Sequence, residues 1–99
     1  MSFKNKVVLV TGATSGIGHE TAIAFAEDGA HVAAVGRQIE ALKALEARSK
    51  NIHTYQADLT SEDQTTKLVS KISHNLGGIE ILINAAGIIT LGNISKMTL

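Results

Sequence analysis

Val7-Val8-Leu9-Val10-Thr11-Gly12-Ala13-Thr14-Ser15-Gly16-Ile17-Gly18 decides the architecture of this 99-residue chain. Four consecutive aliphatic residues between polar flanks read as a strand buried on both faces. A glycine-rich turn follows, with Gly12, Gly16 and Gly18 inside it. Residues 17–28 then take helical spacing, placing Ile17, Thr21, Ala22, Phe25 and Ala26 on one side. Gly29 is expected to close that helix, because glycine enters the left-handed region without steric cost.

Working outward, the same alternation repeats. Residues 32–35 make a second strand, and Ile39, Leu42 and Leu45 mark a second helix at three-residue spacing. Residues 52–57 form a third strand. Ser61 with Gln64 three residues later is a capping box that opens a third helix. Leu68, Val69, Ile72 and Leu76 line its inner face, Gly77-Gly78 stops it, and residues 79–83 form a fourth strand. Residues 85–99 show no clear period. Right-handed crossovers turn the β-α-β-α-β-α-β series into an α/β fold with an open parallel sheet. The expected strand order is 3-2-1-4, the first half of a doubly wound Rossmann-type domain occupying residues 1–99 as one unit.

Composition narrows the function. Nine basic residues balance nine acidic ones, so no net charge draws the chain toward nucleic acid or an anionic membrane. One Tyr, two Phe and no Trp leave little surface for stacking bases. No apolar run approaches a membrane span or a secretory core. Cysteine is absent, which excludes disulfides and thiol nucleophiles and agrees with a reducing, cytoplasmic setting.

The glycines have separate expected roles at a strand-to-helix turn. Gly12 permits the sharp turn, Gly16 lets backbone approach a pyrophosphate, and Gly18 lets helix pack on strand. Free N–H groups at the helix start would hold the phosphates. Three residues separate Gly12 from Gly16 and one separates Gly16 from Gly18, and no P-loop lysine follows. With Thr11 in front, this turn resembles the glycine motif of the short-chain dehydrogenase/reductase family. Ala57-Asp58-Leu59-Thr60 after strand three and Asn84-Ala85-Ala86-Gly87 after strand four resemble two further motifs of that family.

The resemblance implies a nicotinamide dinucleotide held by Gly12, Thr14, Ser15, Gly16, Ile17, Gly18, Arg37, Asp58, Leu59, Asn84, Ala85, Ala86 and Gly87. Asp58 would contact adenine, Asn84 would lie near the adenine ribose, and the Ser15 hydroxyl would reach a phosphate. Ala85 stands where the family usually has a second Asn that braces the sheet. Ser15 stands where many NADP-preferring relatives carry a basic residue.

Cofactor choice falls at the end of strand two. An acidic residue there would accept from the ribose 2′-OH of NAD and repel the extra phosphate of NADP. This chain has Gly36 and then Arg37, whose guanidinium matches a phosphate. The competing account of Arg37 is a solvated strand end. The expectation is NADP, with NAD second.

The family's Tyr-x-x-x-Lys pair is not found. The one tyrosine, Tyr55, is followed four residues later by Leu59, so it is expected to be a core or edge residue. His19, His31, His53 and His74 lie on different elements without ligand spacing, and no metal is expected. The resemblance therefore implies the cofactor-binding part of an oxidoreductase acting on a carbonyl or alcohol. These 99 residues alone would be inactive, and the complete enzyme would be a homo-oligomer. A non-catalytic dinucleotide-binding module and an assembly unit are the alternatives.

Overall fold

The computed structural model describes residues 3–14 and 16–85. Strands β1 (Val7–Thr11), β2 (His31–Gly36), β3 (Ile52–Gln56) and β4 (Ile81–Asn84) alternate with helices α1 (Gly16–Glu27), α2 (Ile39–Glu46) and α3 (Glu62–Leu76). The strands form one parallel sheet in the order β3-β2-β1-β4. This is the expected Rossmann-type half, and strand order reverses direction at β1.

Every residue of β1 is buried, as its unbroken aliphatic run requires. Alternate side chains leave a strand on opposite faces, so β1 feeds two cores. Val7 and Leu9 join Ala33, Val35, Leu68, Val69 and Ile72 in the core beneath α3. Val8 and Val10 join Ala22, Ile23, Ala26, Val32, Ala34, Leu45 and Ile52 in the core beneath α1 and α2. Helices therefore cover both faces of the sheet.

The inner face of α1 differs from the expected one. Ile17 is 79% exposed, and the buried positions are Gly18, Ala22, Ile23 and Ala26. Gly18, Ala22 and Ala26 let the helix lie close to the sheet, Ile23 is buried with them, and the large Ile17 side chain is exposed. Phe25 is half-buried, edge-on to Phe3 with ring centroids 5.0 Å apart. Ile39, the first of the three residues that mark α2, is 46% exposed, since α2 begins there and only Leu42 and Leu45 are buried.

Helix ends follow the glycines. Gly29 has φ of 93° and its N–H donates to the Ala26 carbonyl at 3.1 Å, while Gly77 caps α3 with φ of 91°. The capping box at α3 is half formed. Ser61 Oγ accepts from the Gln64 N–H at 3.3 Å, but Gln64 Oε1 accepts from the Asp58 N–H at 2.9 Å instead of reaching Ser61. Buried Thr65 donates to the Ser61 carbonyl at 2.8 Å, fixing the same corner.

The fourth strand starts two residues later than expected. Ile79 is buried ahead of it, and the Glu80 N–H donates to the Val7 carbonyl at 3.0 Å. Glu80 Oε1 accepts from the Val7 N–H at 3.2 Å, and Lys6 lies 3.3 Å from Oε2. The Val7 N–H and then the Lys6 ammonium hold the Glu80 carboxyl below its ordinary range. Among the described residues β4 pairs only with β1, and Ile81, Leu82 and Ile83 are half-buried.

Candidate cofactor site at the strand ends

Parallel strands direct all their carboxyl ends to one side, and a crevice opens where strand order reverses. Here that crevice is a cleft of about 470 Å³ lined by Gly12, Thr14, Val35, Gly36, Arg37, Gln38, Ala57, Asp58, Leu59, Thr60 and Ala85. Hydrogen bonds past the strand ends fix its rim. The Ala13 N–H donates to the Val35 carbonyl at 3.0 Å, Ala57 to Gly36 at 3.1 Å, and Ala85 to Thr11 at 3.2 Å. The glycine turn is thereby tied to β2 and β4.

Two glycines in this region are defined by contact. A Cβ on Gly18 would land on the Gly12 carbonyl oxygen, with the Gly12 carbonyl carbon 2.7 Å away. The turn and the first helical turn therefore touch backbone to backbone. A Cβ on Gly36 would overlap the Thr14 methyl, so the end of β2 leaves room for the Thr14 side chain. Gly16 differs from both. It has φ of 59° and nothing within 4 Å of a built Cβ, so its demand is conformational and the space beside it is open.

Asp58 lines the same cleft, just past the end of β3. The Thr60 hydroxyl donates to Asp58 Oδ1 at 2.6 Å and the Thr60 N–H to the same oxygen at 3.0 Å. These two bonds, with a smaller contribution from the Arg37 charge, hold the carboxyl below its ordinary value. Both bonds favour the ionised carboxylate of Asp58, which shares the cleft lining with Arg37.

Asn84 does not line the cleft, but it is anchored beside it. The hydroxyl of fully buried Thr11 donates to Asn84 Oδ1 at 2.9 Å, joining the ends of β1 and β4. Of the expected cofactor residues, Gly12, Thr14, Arg37, Asp58, Leu59 and Ala85 line the cleft, and Gly16, Ile17 and Gly18 form the helical turn that follows it. Ser15, Ala86 and Gly87 lie outside the described residues. Sequence reasoning missed Gln38, Thr60 and the Gln64 bond to Asp58. Thr60, two residues after an Asp, carried a usable signal as an Asx-type turn; the other two did not.

Tyr55 is half-buried on the edge strand β3, where its hydroxyl accepts from Asn75 Nδ2 at 3.3 Å and Lys71 stands 6.0 Å from the ring. It borders a separate groove of about 700 Å³ between β3 and α3 that holds none of the expected cofactor residues. Among the described residues no cluster of three or more His, Asp or Glu side chains could hold a metal ion. No helix among them is long and apolar enough to cross a membrane.

The fold and the cleft define a Rossmann-type parallel sheet with a glycine turn at its switch point. The short chain dehydrogenase family model matches residues 6–99, and the chain belongs to that family of oxidoreductases. A short chain dehydrogenase of Pseudocercospora fijiensis is 38% identical over 93 residues, covering 90% of this chain and 30% of that protein. The crystal structure of a short chain dehydrogenase from Bacillus anthracis superposes with a TM-score of 0.81 at 37% identity, over 86% of this chain and 36% of that one. That of 2-keto-3-deoxy-D-gluconate dehydrogenase from Streptococcus agalactiae gives 0.78 at 38% identity, over 98% of this chain and 38% of that one. The chain therefore spans about a third of the length of these relatives.

Proposed function

We propose that this chain is the cofactor-binding N-terminal part of an NADP(H)-dependent dehydrogenase/reductase, with hydride passing between nicotinamide and a carbonyl or alcohol carbon. The observation that carries the reading is the pairing of Gly36 with exposed Arg37 at the end of β2, on the rim of the strand-end cleft. A guanidinium there offers paired donors to a 2′-phosphate, and no carboxylate stands at Gly36 to repel it.

The surrounding residues fit a dinucleotide. Open space beside Gly16 leaves room for a pyrophosphate at the start of α1, where free N–H groups and the helix dipole favour anions. Both Thr60 bonds fall on Asp58 Oδ1, which leaves Oδ2 for the adenine amino group. The cofactor would donate hydride to a carbonyl or accept it from an alcohol; the chain supplies binding and orientation. A tyrosine and lysine acting as proton donor and its partner would come from outside residues 1–99. A cytoplasmic, homo-oligomeric enzyme is the setting this reading implies.

Arg37→Ala tests the reading. A charge-assisted hydrogen bond contributes about 1.5–3 kcal/mol, so NADPH affinity should fall roughly 10- to 150-fold while NADH affinity holds. Equal losses for both cofactors, measured by calorimetry on the protein with any residues its gene encodes beyond Leu99, would reject NADP(H) selectivity.

A further inference from the structure

The link between β2 and α2 has only two residues, Arg37 and Gln38. Gln38 is the N-cap of α2, extended at φ −93° and ψ 105°, and its side chain makes no capping bond. The link therefore lacks the local side-chain anchor that usually fixes a helix entrance. Its anchor comes from elsewhere in the sheet. Gln56, the last residue of the edge strand β3, is paired in register with Gly36. Its side-chain Nε2–H donates to the Arg37 backbone carbonyl at 3.0 Å.

We infer that Gln56 is a positioning residue for cofactor selection, clamping the backbone of Arg37 so that its guanidinium is delivered to a 2′-phosphate in the cleft. The inference rests on the NADP(H) reading of Arg37. A long arginine side chain loses rotamer freedom when it binds, and a fixed backbone origin shortens that search. Gln56 is absent from the lining of the strand-end cleft, so it does not itself meet the cofactor there. Its side chain instead bonds to the Arg37 carbonyl, which gives it a route to the choice between NADPH and NADH through Arg37. The 2′-phosphate is the group that distinguishes the two cofactors, so the clamp should affect NADPH and spare NADH. Gln56 is exposed, and its replacement leaves the core untouched.

The test is a double-mutant cycle of Gln56→Ala and Arg37→Ala, with dissociation constants for NADPH and NADH and the melting temperature measured for each variant. Releasing the clamp adds about 0.5–1.5 kcal/mol of side-chain ordering to the binding step, which predicts a loss of roughly 2- to 12-fold in NADPH affinity for Gln56→Ala. NADH affinity should stay at the wild-type value, and the melting temperature should fall by no more than the few degrees that one exposed hydrogen bond contributes. In the Arg37→Ala background the same change should have no effect on either cofactor. Equal losses for NADPH and NADH, or a Gln56→Ala effect that persists without Arg37, would overturn the inference by giving Gln56 a general structural role. If Arg37→Ala shifts the cofactor ratio and Gln56→Ala does not, the clamp alone is refuted. If Arg37→Ala leaves the ratio unchanged, the NADP(H) reading fails and the clamp fails with it.

Discussion

Gly18→Ala should be among the most damaging single-methyl additions in this chain. The new Cβ falls on the Gly12 carbonyl oxygen, with the carbonyl carbon 2.7 Å and Ala13 Cα 3.2 Å away. All three neighbours are backbone, and the following residue, Ala13, is tied to β2 through Val35, so no side chain can swing aside. Either α1 moves off the sheet or the glycine turn opens. Overpacking of this kind costs up to about 3 kcal/mol or more, against about 1 kcal/mol gained from alanine's helix propensity. The net loss of about 2 kcal/mol corresponds to a fall of roughly 8–16 °C in melting temperature for a domain of this size. Gly16→Asn is the matching control, because Asn tolerates a positive φ and the space beside Gly16 is open. It should melt close to wild type. Thermal denaturation followed by circular dichroism measures both. If Gly18→Ala melts within about 2 °C of wild type, the contact between turn and helix is not the constraint described above.

Thr60→Val removes the hydroxyl that most strongly depresses the Asp58 carboxyl, so the Asp58 pKa should rise toward 3.8 in an NMR titration. Because that pKa is lowered in the folded chain, any stability it confers is present above about pH 3.8 and lost as pH falls through the folded value; an unshifted Asp58 in Thr60→Val would discount the bond. Residues 1–99 expressed alone should show no NADPH-linked carbonyl reduction and should self-associate on sedimentation through half-buried β4, which among the described residues pairs only with β1. A monomer that turns over substrate would refute that account.

The parts of the fold legible in the sequence were those with redundant signals. The run Val7 to Val10 admitted one reading, and Gly29 and Gly77 ended their helices where positive φ is needed. The phase of α1 was less legible. Periodicity weights large apolar residues such as Ile17, whereas this helix approaches the sheet through Gly18, Ala22 and Ala26, which carry little hydrophobic weight. The cleft was legible where a motif named it, at Gly12, Arg37 and Asp58. The bonds that shape it were not. Gln56 and Arg37 are 19 residues apart, and the Gln64 side chain accepts from the Asp58 N–H while the Ser61 N–H donates to the Asp58 carbonyl. Such choices depend on how strands sit beside one another, which residue order alone does not state.

The placement of β1 between β2 and β4 has a consequence for how the chain matures on the ribosome. β2 follows β1 within one short helix, but the strand on the other flank arrives late, since Thr11 and Asn84 are 73 residues apart. At synthesis rates of about 5–20 residues per second, the first strand made waits roughly 4–15 s for its second neighbour. During that interval the most apolar segment of the chain has one hydrogen-bonding edge satisfied and the other open. Pairing with β1 is therefore the slow, long-range closure of this sheet, and chaperone capture of nascent chains should peak before residue 84 clears the exit tunnel.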